Sequence, residues 1–290
     1  MVLAAGLGTR LRPLTDELPK PLVWLGDRPL LGGLLQRFAA ASRVVVNAHH
    51  LREAFRGPSL RSGGREALVS LEEEVLGTAG GVRHAAALLS AGDVLVWNGD
   101  ILAEPRLGEL VVQHARRAAF ASWVVAPRAR GEGTVGLDGE GCVVRLRGRV
   151  FGDEERGGDF IGVQLLSPRA RAALPERGCL VGDVALPALA RGERIATVAL
   201  EGPWYDIGTP RSYLDANLRW LRERGEPAFL GPGATVEPGV QLDEALVGAG
   251  ATVVGRGALR RVVVWPGARA EAPLEGAVVT ARAVLRVPVA

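Results

Sequence analysis

The chain has 290 residues, of which 48% are hydrophobic and 23% charged, and its formal net charge is +3 at pH 7. These values are typical of a globular protein with a large core and exclude long disordered stretches. No apolar run reaches the roughly 18 residues of a membrane span, and the small charge lacks basic runs, so we expect a cytoplasmic protein without membrane or nucleic-acid partners.

Strands and helices alternate along most of the chain. An apolar strand at Met1–Ala5 leads into a glycine turn and a loop to about Arg28; since Met1 falls almost on this strand, a start a few residues upstream stays open. Hydrophobic periodicity then predicts helix Pro29–Ala41, strands Arg43–Asn47 and Ala67–Leu71, helix Thr78–Ser90, strands Asp93–Trp97, Phe120–Ala126 and Phe160–Leu166, and helix Pro210–Glu223. This alternation predicts an α/β fold with a mostly parallel sheet and helices on both faces.

A six-residue repeat follows Gly225. Its clearest copies begin with an aliphatic residue and carry glycine at the fourth position: LGPGAT from Leu230, VEPGVQ from Val236, VGAGAT from Val247 and VWPGAR from Val264. Such a period is typical of a parallel β-helix, in which the aliphatic residues stack inward. We therefore predict a catalytic domain over residues 1–225 and a short β-helix cap over residues 226–290. The cap is expected to serve stability or assembly rather than chemistry, and a homo-oligomer through it stays open.

The segment from Ala4 to Leu22 carries the strongest chemical signal. A glycine loop directly after a strand lets backbone N–H groups approach phosphates. Gly6 and Gly8 alone fit neither the dinucleotide fingerprint, which needs a third glycine, nor the P-loop. However, Arg10, Arg12 and Lys20 follow closely, and Lys20 is the only lysine among 35 basic residues. The segment therefore predicts a site for a polyanion.

Four motifs in this chain resemble those of the sugar-phosphate nucleotidyltransferases, especially the mannose-1-phosphate guanylyltransferase-like branch. In chain order they are GLGTRLRPLT at Gly6–Thr15 with PKPL at Pro19–Leu22, LGTAGG at Leu76–Gly81, NGD at Asn98–Asp100, and WYDIGTPRSYLDAN at Trp204–Asn217. The resemblance covers nearly the whole chain. It implies a Rossmann-like α/β domain and the joining of a sugar 1-phosphate to a nucleoside triphosphate, with release of pyrophosphate.

The same resemblance assigns roles to individual residues. It implies that Arg10, Lys20 and Asp100 are catalytic, that Lys20 and Gly162 bind the sugar phosphate, and that Asp100 and Asp206 bind Mg²⁺, an ion that takes one or two carboxylates plus phosphate oxygens. The nucleotide-binding residues that it implies are Ala4, Ala5, Gly6, Gly8, Thr9, Arg10, Gly77, Thr78, Ala79, Gly80 and Asn98.

Several of these residues also have purely structural interpretations. Thr78 is a candidate N-cap of its helix, Asp206 a candidate cap of the final helix, and Asp100 a candidate turn residue. The acidic run Glu72–Glu74 is interpreted as a solvated edge. The four histidines show no metal-ligand spacing, and we expect none of them to act in catalysis.

The substrate specificity stays open at this point. Many relatives hold the sugar phosphate with a Glu-Lys-Pro segment, but this chain has no lysine there; Asp153, Glu154 and Glu155 are candidate partners of sugar hydroxyls. The LGTAGG turn favours guanine, although uridylyl and thymidylyl relatives use similar turns. A non-catalytic relative that senses nucleotide sugars is the alternative function; the retained Arg10, Lys20 and the two aspartates argue against it.

Overall fold

The computed structural model describes residues 1–38, 41–56, 60–62 and 65–287. Its strands are β1 (Val2–Leu3), β2 (Trp24–Leu25), β3 (Arg28–Pro29), β4 (Val45–Ala48), β5 (Arg61–Ser62), β6 (Arg65–Glu66), β7 (Leu68–Leu71), β8 (Val94–Asn98), β9 (Ile101–Leu102), β10 (Ala121–Arg128), β11 (Val135–Leu137), β12 (Val143–Leu146), β13 (Arg149–Val150), β14 (Arg156–Leu166), β15 (Ile195–Ala199), β16 (Tyr205–Asp206), β17 (Ala228–Leu230), β18 (Thr235–Val236), β19 (Val240–Val247), β20 (Thr252–Val264), β21 (Arg269–Val279) and β22 (Val284–Arg286).

The α-helices are α1 (Leu14–Glu17), α2 (Leu30–Arg37), α3 (Gly77–His84), α4 (Leu107–Arg116), α5 (Pro168–Ala172), α6 (Leu186–Ala190) and α7 (Pro210–Glu223). Short 3-10 helices occur at Thr9–Leu11, Lys20–Leu22, Arg52–Ala54 and Ala85–Ala87, and a π-helix at Leu180–Ala185 leads into α6. Among the described residues, no helix is both long and apolar enough to span a membrane.

The chain divides into two compact units. The first contains Met1–Gly6, Phe38–Phe55 and Gly64–Trp204. The second contains Leu7–Arg37, Arg56–Gly63 and Tyr205–Ala290. The units are defined by contacts between residues, not by function. The expected division into a catalytic domain and a cap at residue 225 therefore stays a prediction.

A mixed sheet of ten described strands forms the centre of the first unit, in the order β13-β12-β11-β14-β8-β1-β4-β7, with β10 between β14 and β15. Strands β8, β1, β4 and β7 are parallel to one another, as the alternation of strands and helices predicts. Strand β14 instead runs antiparallel to β8. The sheet is therefore parallel on the side of β1 and mostly antiparallel beyond β8, where β10 and β15 nevertheless pair in parallel.

Buried side chains from this sheet and its helices make up the core of the first unit. Trp123 and Val96 come from the sheet, and Val82, Ala170 and Ala188 come from α3, α5 and α6. The apolar stretch of β8 reads VLVW, a continuous run that suits a strand covered on both faces. Packing of helices against this sheet fixes where β1 and β8 end.

Parallel strands form most of the sheet in the second unit. Strands β17, β19, β20 and β21 pair in parallel in that order, β18 pairs with β20, and β22 pairs antiparallel with β21. Helix α7 belongs to the same unit and spans Pro210–Glu223, as its amphipathic pattern predicts. Helix α2 ends at Arg37, and residues 39–40 of the predicted helix lie outside the described residues.

Candidate active site

The cationic loop of the second unit is folded as two short helical turns. Gly8 has a φ of +64°, and a Cβ at this position would lie 2.7 Å from a methyl carbon of Thr15. Thr15 in turn donates its hydroxyl hydrogen to the Gly8 carbonyl at 2.8 Å. The positive φ and the close approach together explain why glycine occupies position 8. This turn leads directly into the 3-10 helix that carries Thr9 and Arg10.

Arg10, Lys20 and Asp206 lie together in this unit. An Arg10 guanidinium nitrogen is 3.5 Å from Asp206 Oδ2, and Lys20 Nζ is 3.7 Å from Asp206 Oδ1. The Lys20 side chain is only 13% exposed, whereas that of Arg10 is 66% exposed. Two of the predicted catalytic residues therefore lie beside a predicted metal ligand, with the lysine largely buried and the arginine exposed.

Asp206 Oδ1 is buried and has no hydrogen-bond partner among the described residues. A buried carboxylate oxygen without a donor is costly, unless a ligand or ion satisfies it. Asp206 is not a cap of α7, because Thr209 occupies the N-cap and accepts from Ser212 N at 3.1 Å. The interpretation of Asp206 as a helix cap is thus wrong, and its carboxylate remains available for other chemistry.

Gly208 is a residue of this cluster that sequence reasoning missed. A Cβ at position 208 would lie 3.0 Å from both Arg10 terminal nitrogens and from Asp206 Oδ1. A side chain at position 208 would require the guanidinium or the carboxylate to shift by a few tenths of an ångström. The signal was present in the sequence, since Gly208 lies inside the WYDIGTP motif, but the motif alone does not say which groups approach it.

In the first unit, the ends of β1 and β8 lie side by side. The two strands are parallel with Leu3 opposite Asn98, and Gly99 N donates to the Leu3 carbonyl at 2.8 Å. Ala4, Ala5 and Gly6 leave the sheet at the same edge as Asp100, which lies half-buried in the turn after β8. The carboxyl ends of parallel strands are where open α/β sheets bind ligands.

Asn98 and Gly162 are brought together by the antiparallel pairing of β8 and β14. Gly162 has a φ of +81°, and a Cβ there would lie 2.4 Å from Asn98 Nδ2. Glycine at position 162 therefore gives room to the Asn98 side chain. This contact explains why glycine occupies position 162. Binding of the sugar phosphate by Gly162 stays a prediction.

A buried polar chain connects Ala4 with the segment that begins α3. Ala4 N donates to Asn47 Oδ1 at 2.7 Å, Asn47 Nδ2 donates to Glu72 Oε1 at 2.6 Å, and Leu76 N donates to Glu72 Oε2 at 3.2 Å. Glu72 is 1% exposed. The interpretation of Glu72–Glu74 as a solvated edge is therefore wrong for Glu72, whose carboxylate fixes the spacing between two predicted nucleotide-binding segments.

The predicted base-recognition turn is held by its own chain. Helix α3 begins at Gly77 after the N-cap Leu76, which makes no side-chain cap, so the interpretation of Thr78 as N-cap is wrong. Thr78 Oγ1 instead accepts from Leu180 N at 2.8 Å, and Ala79 N donates to the Gly178 carbonyl at 2.9 Å. A Cβ on Gly77 would lie 2.4 Å from that same carbonyl. Glycine at positions 77 and 80 therefore leaves room for the segment 176–178. Contacts between residues 77–80 and the nucleobase stay predictions.

Glu154 has a structural partner in the region where sugar contacts were expected. Its Oε2 accepts from Arg145 Nε at 2.6 Å, and its Oε1 accepts from Arg145 Nη2 at 3.0 Å and from Gly131 N at 2.8 Å. The Arg145 guanidinium holds the pKa of this carboxyl below its usual range. Glu154 therefore ties two loops together, which leaves Asp153 and Glu155 as the exposed acidic residues of this segment.

This chain is similar to known proteins over most of its length. Residues 1–147 match the family described as "Nucleotidyl transferase". Mannose-1-phosphate guanylyltransferase of Mycobacterium tuberculosis is 32% identical over 96% of this chain and 79% of its own length. N-acetylmuramate alpha-1-phosphate uridylyltransferase of Caulobacter vibrioides is 33% identical over 76% of this chain and 95% of its own length.

A solved structure shares the fold. HddC from Yersinia pseudotuberculosis, crystallised with GMP-PN, superposes with a TM-score of 0.61 at 20% identity and covers 76% of this chain and 97% of its own. The Rossmann-like α/β fold expected from the motifs is therefore confirmed, with the antiparallel β14 as its departure from an all-parallel sheet. Since the family match covers half of the sequence and the relatives cover most of it, this chain belongs to the nucleotidyl transferase family.

Proposed function

We propose that this protein transfers a nucleotidyl group from a nucleoside triphosphate to a sugar 1-phosphate, with mannose 1-phosphate and GTP as its preferred substrates. The observation that carries the proposal is the cluster of Arg10, Lys20 and Asp206, which combines two cations with a buried carboxylate oxygen that lacks a donor. Two cations beside a carboxylate suit a metal-bound polyphosphate, because each charge then has an opposite partner.

The reaction needs charge stabilisation rather than a general base. An oxygen of the sugar 1-phosphate attacks the α-phosphorus, the bond from that phosphorus to the bridging oxygen breaks, and pyrophosphate leaves with the electron pair. The attacking phosphate monoester has a second pKa of about 6, so it is mostly a dianion near neutral pH. Lys20 and Arg10 would offset the repulsion between the two anions and hold the leaving phosphates in line.

Magnesium fits the carboxylates that the chain provides. Mg²⁺ keeps several waters and takes one or two carboxylates plus phosphate oxygens, so it does not need a larger set of protein ligands. We propose Asp206 Oδ1 and, in the first unit, Asp100 as magnesium ligands. When bound, the ion would neutralise phosphate charge.

Gly6 supports nucleotide binding by the β1 loop. A Cβ at Gly6 would meet nothing within 4 Å, and its φ lies outside the left-handed range, so the fold itself gives no reason for glycine there. An open backbone at a strand end suits close approach by a phosphate. We propose further nucleotide-binding residues in addition to the turn at 77–80. In the first unit they are residues 4–6 and Asn98, and in the second unit Gly8 and Thr9.

We also propose that residues 226–290 form a short hexapeptide-repeat parallel β-helix appended to a catalytic domain over residues 1–225. In support, the first positions of three repeats are paired in register, Leu230 with Val247 and Val247 with Val264. A homo-oligomer through this cap and a cytoplasmic location belong to the same proposal.

A matrix of substrates tests the proposed function. GTP, UTP and dTTP are each combined with mannose 1-phosphate and N-acetylmuramate 1-phosphate, and pyrophosphate release is measured with Mg²⁺ present. We expect the highest kcat/KM with GTP and mannose 1-phosphate. Preference for UTP with N-acetylmuramate 1-phosphate would support the same type of reaction but with the substrates that the Caulobacter relative is named for. Binding of a nucleotide sugar without turnover for any pair would indicate a regulatory relative instead.

A further inference from the structure

We infer that two residues that directly follow C-terminal strands, Trp265 after β20 and Thr280 after β21, are positioning residues for the loop that carries Arg10 and Lys20. The inference has two parts: these residues hold the loop in place, and this placement supports turnover. Only the second part rests on the proposed function, because the first concerns contacts within the second unit. The inference replaces the expectation that the terminal repeats serve stability or assembly alone.

A buried hydrogen-bonded relay leads from Trp265 to the segment after Lys20. Trp265 Nε1 donates to the Tyr213 hydroxyl at 2.9 Å, and that hydroxyl donates to the Trp24 carbonyl at 2.5 Å. Tyr213 is 1% exposed, and burial raises its pKa well above the ordinary value, so the hydroxyl keeps its proton. The relay therefore has a fixed direction, from the C-terminal strands through α7 to the loop.

Helix α7 holds the same segment at two further points. Asn217 Oδ1 accepts from Gly26 N at 2.9 Å, and Asn217 Nδ2 donates to the Trp24 carbonyl at 3.3 Å. Gly26 has a φ of +62°, and a Cβ there would lie 2.2 Å from the Trp220 ring. The turn after Lys20 is thus seated directly on α7.

The start of α7 is equally close to the cationic cluster. Asp206 precedes the Thr209 N-cap by three positions, and Gly208 N donates to Ser212 Oγ at 3.0 Å. Lys20 and Asp206 are therefore both attached to one helix, Lys20 through Trp24 and Gly26 and Asp206 through the cap. Loss of the contacts that hold Trp24 and Gly26 on α7 would therefore allow the 3.7 Å separation between Lys20 Nζ and Asp206 Oδ1 to change.

Thr280 anchors the other end of the loop. Its hydroxyl donates to Glu17 Oε1, and Glu17 is the last residue of α1, between Arg10 and Lys20 in the sequence. Thr280 is 4% exposed and its oxygen accepts from Ala283 N at 3.0 Å, so its position is fixed by the turn after β21. The C-terminal region is therefore linked to the cationic loop on both sides of Lys20, directly through Thr280 and Glu17, and through Tyr213 of α7 to Trp24.

The test compares Trp265→Phe and Thr280→Val with Thr280→Ser and Thr235→Val in the full chain. Phenylalanine keeps an aromatic ring but removes the N–H donor, valine keeps the shape but removes the hydroxyl, and serine restores it. Thr235 is a matched control, because its hydroxyl bonds to Thr252 within the C-terminal strands and not to the loop. Steady-state kcat and KM are measured with Mg²⁺ and the best substrate pair, and hydrogen exchange is followed in peptides covering residues 7–26.

We expect Trp265→Phe and Thr280→Val each to lower kcat by roughly tenfold, less than the 10²-fold that a ~1 Å misplacement can cost. KM for the sugar 1-phosphate should change less, and exchange in residues 7–26 should become faster. Thr280→Ser and Thr235→Val should behave like wild type in both measurements.

The two measurements separate this inference from the proposed function. Wild-type turnover and exchange in both test variants would overturn the inference, as would lost turnover without faster exchange in the loop, or faster exchange without lost turnover. If wild-type protein transfers no nucleotidyl group, the proposed function fails. Hydrogen exchange alone then tests the structural part of the inference. Unchanged exchange of residues 7–26 in both variants would overturn that part.

Discussion

Lys20 Nζ lies 3.7 Å from a carboxylate oxygen of Asp206 that has no hydrogen-bond donor among the described residues. The distance exceeds that of a hydrogen bond, so this ion pair leaves the carboxylate oxygen without a donor in the described part of the chain. A compact ammonium suits this position better than a broad planar guanidinium.

Lys20→Arg should therefore keep the charge and lose function. We expect kcat to fall by roughly 10²-fold, the cost of a misplaced charge-stabilising group, while the unfolding midpoint in urea barely changes. The matched control is Arg260→Lys on β20, an exposed cation paired with Asp243, which should not alter turnover. Wild-type turnover by Lys20→Arg would show that Lys20 is only a general counter-charge.

Magnesium removal and the two aspartate variants should act alike. Chelation by EDTA should abolish pyrophosphate release, and added Mg²⁺ should restore it. Asp100→Asn and Asp206→Asn should each lower kcat strongly and raise the Mg²⁺ concentration needed for half-maximal rate, because an amide is a weaker ligand for a hard cation. Circular dichroism and thermal unfolding serve as controls for the fold; near-normal rates in either folded variant would refute its role as a ligand.

Gly6 and Gly8 should respond differently to alanine. Gly6→Ala adds a methyl group where the protein has open space, so stability should hold while the Kd for the triphosphate rises. Gly8→Ala forces a positive φ and a clash with Thr15, so it should lower the free energy of unfolding by ~1 kcal/mol or more. Calorimetric titration and urea unfolding measure the two effects; equal nucleotide affinity in wild type and Gly6→Ala would contradict a phosphate contact at this loop.

Gly81 tests the buried chain of Asn47 and Glu72. A Cβ at Gly81 would lie 2.6 Å from Asn47 Nδ2 and 2.7 Å from Glu72 Oε1, so Gly81→Ala should destabilise the fold by about 1–3 kcal/mol. Gly33→Ala in α2, where nothing lies within 4 Å, is the control and should be neutral or stabilising by up to ~1 kcal/mol. Urea unfolding distinguishes them, and similar unfolding midpoints in both variants would contradict the tight packing.

His114 should make stability depend on pH. Its Nδ1 is 2.8 Å from Ser122 Oγ, and burial lowers its pKa below the ordinary 6.5, although Asp93, 3.6 Å away, opposes this shift and Arg169 adds to it. Below pH 6.5 the unfolded chain binds more protons, so stability is complete above that pH and is lost as pH falls toward the folded pKa. His114→Gln should reduce the change of the urea unfolding midpoint between pH 7 and pH 5. The same pH dependence in this variant as in wild type would show that other groups cause it.

The helical and strand patterns predicted much of the fold because periodicity reports burial directly. Helix α7 has the predicted bounds, Pro210–Glu223, and β8 differs by one residue at each end. Helix α4 and the antiparallel strands β11 to β13 were not predicted. Exposed Val111 and Val112 blur the apolar stripe of α4, and β11 to β13 are short.

The site was predictable only where a motif names the residues. Arg10, Lys20 and Asp206 were identified from three separate segments, and the second unit does bring them together. Asn47 and Glu72 could not be found in this way, because a single Asn after three valines and an acidic run give no sign that they bond to each other. Their role depends on the pairing of β4 with β7, a long-range relationship that local patterns do not encode.

The antiparallel strand β22 closes one side of the parallel C-terminal strands, since Ala277, Val278 and Val279 of β21 pair with it. A free strand edge is a template on which another chain can add a strand. Here the turn after Thr280 folds the same chain back over that edge, with Arg286 on the covering strand. Strand addition to Ala277–Val279 of β21 would first have to displace β22, so a homo-oligomer that uses this part of β21 must form through its side-chain face.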